Sequence, residues 1–223
     1  MRRIFFLLFL LVSGMPVDAQ EAVSPPLPVQ SHTLANGLRL LILPRHAAPT
    51  VAFVVQYRIG SVNEEPGETG LAHLLEHLLF KGTTTVGTRD YQAEAPILDE
   101  MDRVQETLAR VKRRGDTPDD STRIRMLEGR LEILQEQASA LTEPNEFDVI
   151  LSRNGARGLN ASTTSEATTY YVELPANRTE LWFVMEGDRM RNPVFREFYT
   201  ERDVVAEERR LRLETNPGGL LYE

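Results

Sequence analysis

Two histidines four positions apart, with a glutamate directly before the second, are the residues of this sequence best suited to chemistry: His73-Leu74-Leu75-Glu76-His77. On an α-helix, residues four apart project from nearly the same face, one turn along the axis. Two imidazoles so placed can take two tetrahedral positions on one zinc ion. Glu76 adjoins His77 and lies one turn from His73. It can reach the same space without being a ligand, which suits a general base acting on water. The rest of the segment is apolar, with Leu71, Leu74, Leu75, Leu78, Leu79 and Phe80. Burying three polar side chains there without compensation is costly. A pair of core histidines bonded to backbone is the plainer reading and explains the pattern less well.

A catalytic zinc needs a third protein ligand and an open fourth position. The chain has no cysteine, so the third ligand is His, Asp or Glu. His32 and His46 have no partner motif. A helix predicted over about residues 196–214 offers Glu201, Glu207 and Glu208. Val204, Val205 and Leu211 surround Glu208 at helical-neighbour spacing and put it on the apolar, inward stripe. Glu207 neighbours Asp203 and Arg210 and falls at the edge. Glu201, seven residues before Glu208, shares its face. Glu208 is the candidate ligand, and Glu201 a candidate for orienting a ligand. Either glutamate taken alone reads better as part of a charged helix face with ordinary i,i+4 pairs.

Several elements must position these groups. Asn36-Gly37 between apolar stretches predicts a hairpin over 33–43, and β-branched and aromatic residues predict a buried strand over 51–59. A polar loop, 60–70, leads into the histidine helix, 71–80. Ile97, Met101, Val104, Leu108 and Val111, then Ile124, Leu127, Leu131, Leu134, Ala138 and Leu141, alternate spacings of three and four. These are two coiled-coil-like seams. Gly115 can end the first helix; Thr117 can cap the second, with Pro118 in its first turn. Residues 96–141 thus read as an antiparallel helical hairpin inserted into the main fold, either a spacer or a docking element. A Gly/Asn/Ser/Thr segment follows at 155–164, then a strand over 168–174 and a helix over 177–190.

The chain has 223 residues and a formal net charge of −8, which argues against nucleic-acid binding. Arg2 and Arg3, the apolar run 4–12 and Val17-Asp18-Ala19 form the pattern of a secretory signal peptide over 1–19. The run is too short for a comfortable membrane span. Export to the periplasm or beyond is expected, with no stable membrane span after cleavage. Residues 20–31 read as an extended leader and 32–223 as one domain.

The sequence resembles the N-terminal domain of the insulinase/pitrilysin family of zinc metallopeptidases, which includes the mitochondrial processing peptidases. The matching pieces are Thr33-Leu34-Ala35-Asn36-Gly37-Leu38, Gly70-Leu71-Ala72 running into the histidine motif, Phe80-Lys81-Gly82-Thr83, Gly158-Leu159-Asn160-Ala161, Arg191-Asn192-Pro193-Val194-Phe195 and Val204-Val205-Ala206-Glu207-Glu208, in the family's order. The His-x-x-Glu-His order is that of the inverzincins. The resemblance implies that His73, His77 and Glu208 bind Zn2+, that Glu76 is the catalytic base, and that Asn160 helps hold substrate backbone. Glu201 falls where the family often has a second acidic residue. The implied fold is α+β, a large, mainly antiparallel sheet with helices packed on one face. The implied function is zinc-dependent endopeptidase action on peptides or unfolded segments. The alternatives are a non-catalytic peptidase-like subunit that binds peptides for an active homologue, and an interaction module with structural zinc. The hairpin departs from the family by lengthening the gap between His77 and the glutamate ligand. Leu220-Leu221-Tyr222-Glu223 reads as the first turn of a further helix. The chain is therefore expected to be incomplete at its C-terminus and to need a second peptidase-like domain or subunit.

Overall fold

Asn36 and Gly37 turn the chain where the sequence predicts. In the computed structural model, which describes residues 26–114 and 117–214, β1 (Gln30–Thr33) pairs antiparallel with β2 (Arg39–Ile42). The turn is longer than a two-residue loop. Leu34 N–H donates to Leu38 O at 2.8 Å, Gly37 N–H to Leu34 O at 2.9 Å, and Gly37 takes the left-handed φ of +88° that glycine tolerates. The expected signal peptide, the start of the leader, Gly115 and the last nine residues lie outside the described residues; β1 takes up the end of the leader. The chain divides into two compact units, one ending at Ala48 and the other beginning at Pro49.

The second unit holds a three-stranded antiparallel sheet. Its strands are β3 (Thr50–Tyr57), β4 (Arg157–Thr163) and β5 (Thr168–Pro175), in the spatial order β3-β5-β4. Phe53 faces Val172 across one ladder and Thr163 faces Thr168 across the other. Along β5 every second side chain, from Thr168 through Tyr170 and Val172 to Leu174, is buried, the two-residue period of a sheet covered on one face. That cover comes from α4 (Glu146–Arg153) and α5 (Thr179–Arg191), through Phe147, Leu151 and Met185. Trp182 stacks on Phe53 with ring centroids 4.2 Å apart. Leu151 and Leu174 are both 1% exposed. Burial of such a side chain contributes about 1.5–3 kcal/mol.

The fold is α+β, with its strands in two small antiparallel sheets. The Gly/Asn/Ser/Thr segment forms β4, and α4 is an element the sequence reading lacked. Its eight residues are too few to show a period, and Phe147 and Leu151 are its only buried side chains.

The helical hairpin consists of α2 (Tyr91–Arg114) and α3 (Pro118–Leu141). Thr117 caps α3, accepting from Asp120 N–H at 3.1 Å, with Pro118 in the first turn. Met101, Val104, Leu108, Leu131, Leu134 and Ala138 form a core of the hairpin's own. The expected start at Pro96 is corrected. The helix begins at Tyr91, where Asp90 accepts from Ala93 N–H at 3.1 Å, and Pro96 lies inside it. A capped first turn outweighs the loss of one proline-blocked hydrogen bond. The root of the hairpin is closed by a bridge between Thr88 and Thr142 and by Arg89 N–H donating to Leu141 O at 2.7 Å.

Candidate metal centre

Leu71–Leu78 is helix α1, and its N-terminus is built by a residue from the preceding loop. Gly70 takes φ +104°, and the Glu64 carboxylate accepts from Gly70 N–H and Ala72 N–H, both at 2.8 Å. A carboxylate there satisfies donors that the helix leaves open and complements its positive end. Leu74 and Leu78 turn inward against Val205 and Phe198, which belong to α6 (Phe198–Glu214). Leu71 and Leu75 are exposed, so the helix is not buried all round. The inward stripe of α6 is also narrower than predicted: Val205 is buried, while Val204 and Leu211 are exposed.

This packing sets Glu208, three residues after Val205, opposite the face that carries His73 and His77. The Nε2 atoms of the two histidines are 3.3 Å apart, with the rings nearly perpendicular at 88°. Glu208 Oε2 is 3.7 Å from His73 Nε2. One ligand atom from each of His73, His77 and Glu208 lies within 4.8 Å of the other two. Donors about 2.0–2.2 Å from a tetrahedral zinc are separated by roughly 3.3–3.6 Å. The two imidazole nitrogens already stand at that separation, the carboxylate lies a little farther out, and the three are the donor types that zinc accepts. Glu207 points elsewhere and pairs with Arg210 at 2.6 Å. His32, on β1, and His46 belong to the other unit.

Glu201 stands behind His77. Its Oε2 is 3.0 Å from His77 Nδ1 and its Oε1 is 2.7 Å from Lys81 Nζ. Burial pushes the Glu201 carboxyl up, but hydrogen bonds from Lys81 and His77 outweigh it and hold the group below the usual carboxylate range. Burial lowers the Lys81 ammonium, and the bonds to Glu197 and Glu201 more than restore it.

Glu76 is half-buried, and its Oε2 accepts a short hydrogen bond from Thr163 Oγ1 on β4. Asn160 is on the same strand, but alternation puts it on the face opposite Thr163. It is exposed, its Oδ1 accepts from Ala161 N–H at 2.9 Å, and its register partner is Tyr171. The structure therefore gathers His73, His77, Glu208 and Glu201 together, joins Glu76 of the same helix to Thr163 on β4, and turns the Asn160 side chain away from Thr163.

The loop after α1 is locked by Arg196, which is 2% exposed. Its guanidinium donates to both oxygens of Glu94 on α2, at 2.7 and 2.9 Å, and to the carbonyls of Lys81, Thr83 and Val86. The root of the hairpin, the end of α1 and the start of α6 thus meet at one buried cation. Sequence reasoning gave no role to Glu64, Lys81, Thr163 or Arg196. Lys81 lies in a quoted motif; Thr163 and Arg196 have distant partners, and Glu64 reaches Gly70 and Ala72 across an irregular loop.

Residues 40–96 match the family model described as Insulinase (Peptidase family M16). The chain is 28% identical over 196 residues to a zinc protease, PqqE, of Helicobacter pylori, a match covering 86% of this chain and 31% of that protein. Over 88 residues it is 38% identical to a probable zinc protease, PqqL, of Escherichia coli, covering 38% of this chain and 10% of that protein. Among solved structures it is similar to a protease from Helicobacter pylori, with a TM-score of 0.57 and 27% identity, covering 87% of this chain and 33% of that one. The chain thus spans about a third of the length of the Helicobacter proteins it matches.

Proposed function

We infer that this chain, an insulinase-family peptidase sequence, is the zinc-holding part of a metalloendopeptidase that hydrolyses peptides or unfolded segments. The observation that carries the reading is the convergence of His73 Nε2, His77 Nε2 and the Glu208 carboxylate from two helices. These three would hold the ion, which supplies Lewis acidity toward a peptide carbonyl and a water. Glu76, held by Thr163 rather than by the ligands, is free to take the water's proton. The water oxygen bonds to the carbonyl carbon as that proton leaves; when the C–N bond then breaks, Glu76 returns the proton to the departing amine nitrogen. Glu201 holds His77 through Nδ1 so that Nε2 faces the metal position. β4, an outer strand of its sheet, carries Asn160 as the candidate contact to substrate backbone.

A second peptidase-like domain or subunit completes the enzyme in this reading, and the chain alone turns over little. Export, periplasmic or beyond, rests on the N-terminal sequence pattern. The test is zinc content and peptide cleavage measured together in the complete assembly, with Glu76→Gln as control. Zinc with chelator-sensitive cleavage that Glu76→Gln abolishes is the expected result. Cleavage that survives complete removal of metal overturns the reading.

A further inference from the structure

We infer that Lys81 is a positioning residue for the metal centre, fixing the ring of His77 through Glu201. The inference rests on the zinc reading above. Lys81 lies three residues beyond the end of α1 and reaches across to the first turn of α6, where its Nζ meets Glu197 and, at 2.7 Å, Glu201 Oε1. The other oxygen of Glu201 meets His77 Nδ1 at 3.0 Å. One carboxylate is therefore shared, one oxygen on an ammonium and one on an imidazole.

The sharing has a chemical consequence. A neutral imidazole carries its proton on one nitrogen, and a carboxylate at Nδ1 selects that one. Nε2 then keeps its lone pair, directed at the position that His73 Nε2 and Glu208 also face. Glu201 is 14% exposed, and a carboxylate so enclosed needs a countercharge. Lys81 provides it and prevents the carboxylate from rotating away from the ring.

The backbone adds a second observation. Glu197 has φ +57°, a left-handed conformation uncommon for a residue other than glycine. It lies where the chain enters the helix that carries Glu208, and Lys81 holds its side chain. The same ammonium therefore ties the end of the histidine helix to the start of the glutamate helix. An ordinary surface ion pair contributes little and would leave the imidazole tautomer unmoved.

The test uses the full chain and zinc alone. Lys81→Met, Lys81→Arg and Glu197→Gln are compared with the unaltered protein by chelator competition and by nitrogen NMR of the His77 ring without metal. Lys81→Met should weaken zinc binding by about tenfold and lose the single Nδ1–H tautomer. Lys81→Arg should rescue most of both, and Glu197→Gln, which loosens the tie to the start of α6 but leaves Glu201 on His77, should weaken zinc binding less than Lys81→Met and keep the tautomer. Where circular dichroism shows Lys81→Met unfolded, Lys81→Gln takes its place. A folded, uncharged variant with unchanged zinc affinity and an unchanged tautomer overturns this inference alone. Absence of zinc binding in the unaltered protein overturns the zinc reading and this inference with it.

Discussion

The hydroxyl of Thr163, near the end of an outer strand, donates to the carboxylate of Glu76 on α1, 87 residues earlier in the chain. The bond fixes one oxygen of the carboxylate. Glu76→Gln keeps the shape and removes the proton acceptor. In the complete enzyme it should retain zinc and lose turnover by about 10²–10⁴-fold. Thr163→Val should lose less, with zinc again retained. Parallel metal analysis and steady-state kinetics check both, and unchanged turnover in Glu76→Gln would assign the base to another group.

Removing ligands should remove metal. A His73→Ala/His77→Ala double variant is expected to bind no zinc at this site, and Glu208→Gln to bind it far more weakly, whereas Glu207→Gln should behave as the parent. Full zinc content in the double variant would sink the assignment.

The histidine spacing and the face of Glu208 could be read from the sequence, because both are helix-local and follow from the 3.6-residue turn. Thr163 and Arg196 could not, since each acts through tertiary packing on another segment, nor could Glu64, whose bonds to Gly70 and Ala72 depend on an irregular loop with no repeating period. The breadth of the α6 stripe failed for a related reason. Val204 and Leu211 have the right residue type and spacing, but in the structure only Val205 of those three is buried. The apolar seam of α2 begins only at Ile97 and so places the start of the helix too late, while the cap that fixes the boundary, Asp90, is an ordinary polar residue.

Cutting the buried ion pair should cost more than shortening the hairpin. Glu94→Ala leaves the guanidinium of Arg196 buried without its carboxylate, a loss of about 3–5 kcal/mol. Replacing residues 105–130 by a short turn leaves that pair and the hairpin root in place and should preserve zinc binding. Urea unfolding and zinc titration distinguish the two. A trimmed chain that fails to fold would make the hairpin part of the essential core.

Leu174→Ala empties a position that is 1% exposed in the sheet core. It should destabilise by about 2–5 kcal/mol, through lost transfer energy and a residual cavity. Thermal or urea denaturation measures it; a loss below about 1 kcal/mol would mean that the core refills the space.

Asp188 predicts a pH effect. Burial raises its carboxyl, but hydrogen bonds from Thr83, Asn192 and Thr85 outweigh burial and hold it below the ordinary value of 3.8. A depressed folded-state value contributes stability that is present above 3.8 and lost as pH falls through the lower folded value. Asp188→Asn should flatten the acid limb of a stability–pH curve in that window. An acid limb of unchanged slope would refute the assignment.

The bridge between Thr88 and Thr142 bears on how the chain finds its fold. Thr168 must reach Ile59, 109 residues away, before the central sheet can close, a contact of high sequence separation and correspondingly slow formation. The two helices between them assemble from neighbours in sequence, on a far shorter timescale. Once they zip together and close their root, the chain between β3 and β5 is shortened in effect to the segments outside that root. The hairpin thus acts as a staple that lowers the entropy cost of the sheet it does not enter, and variants that loosen its seam should show most of their lost stability as slower refolding rather than faster unfolding.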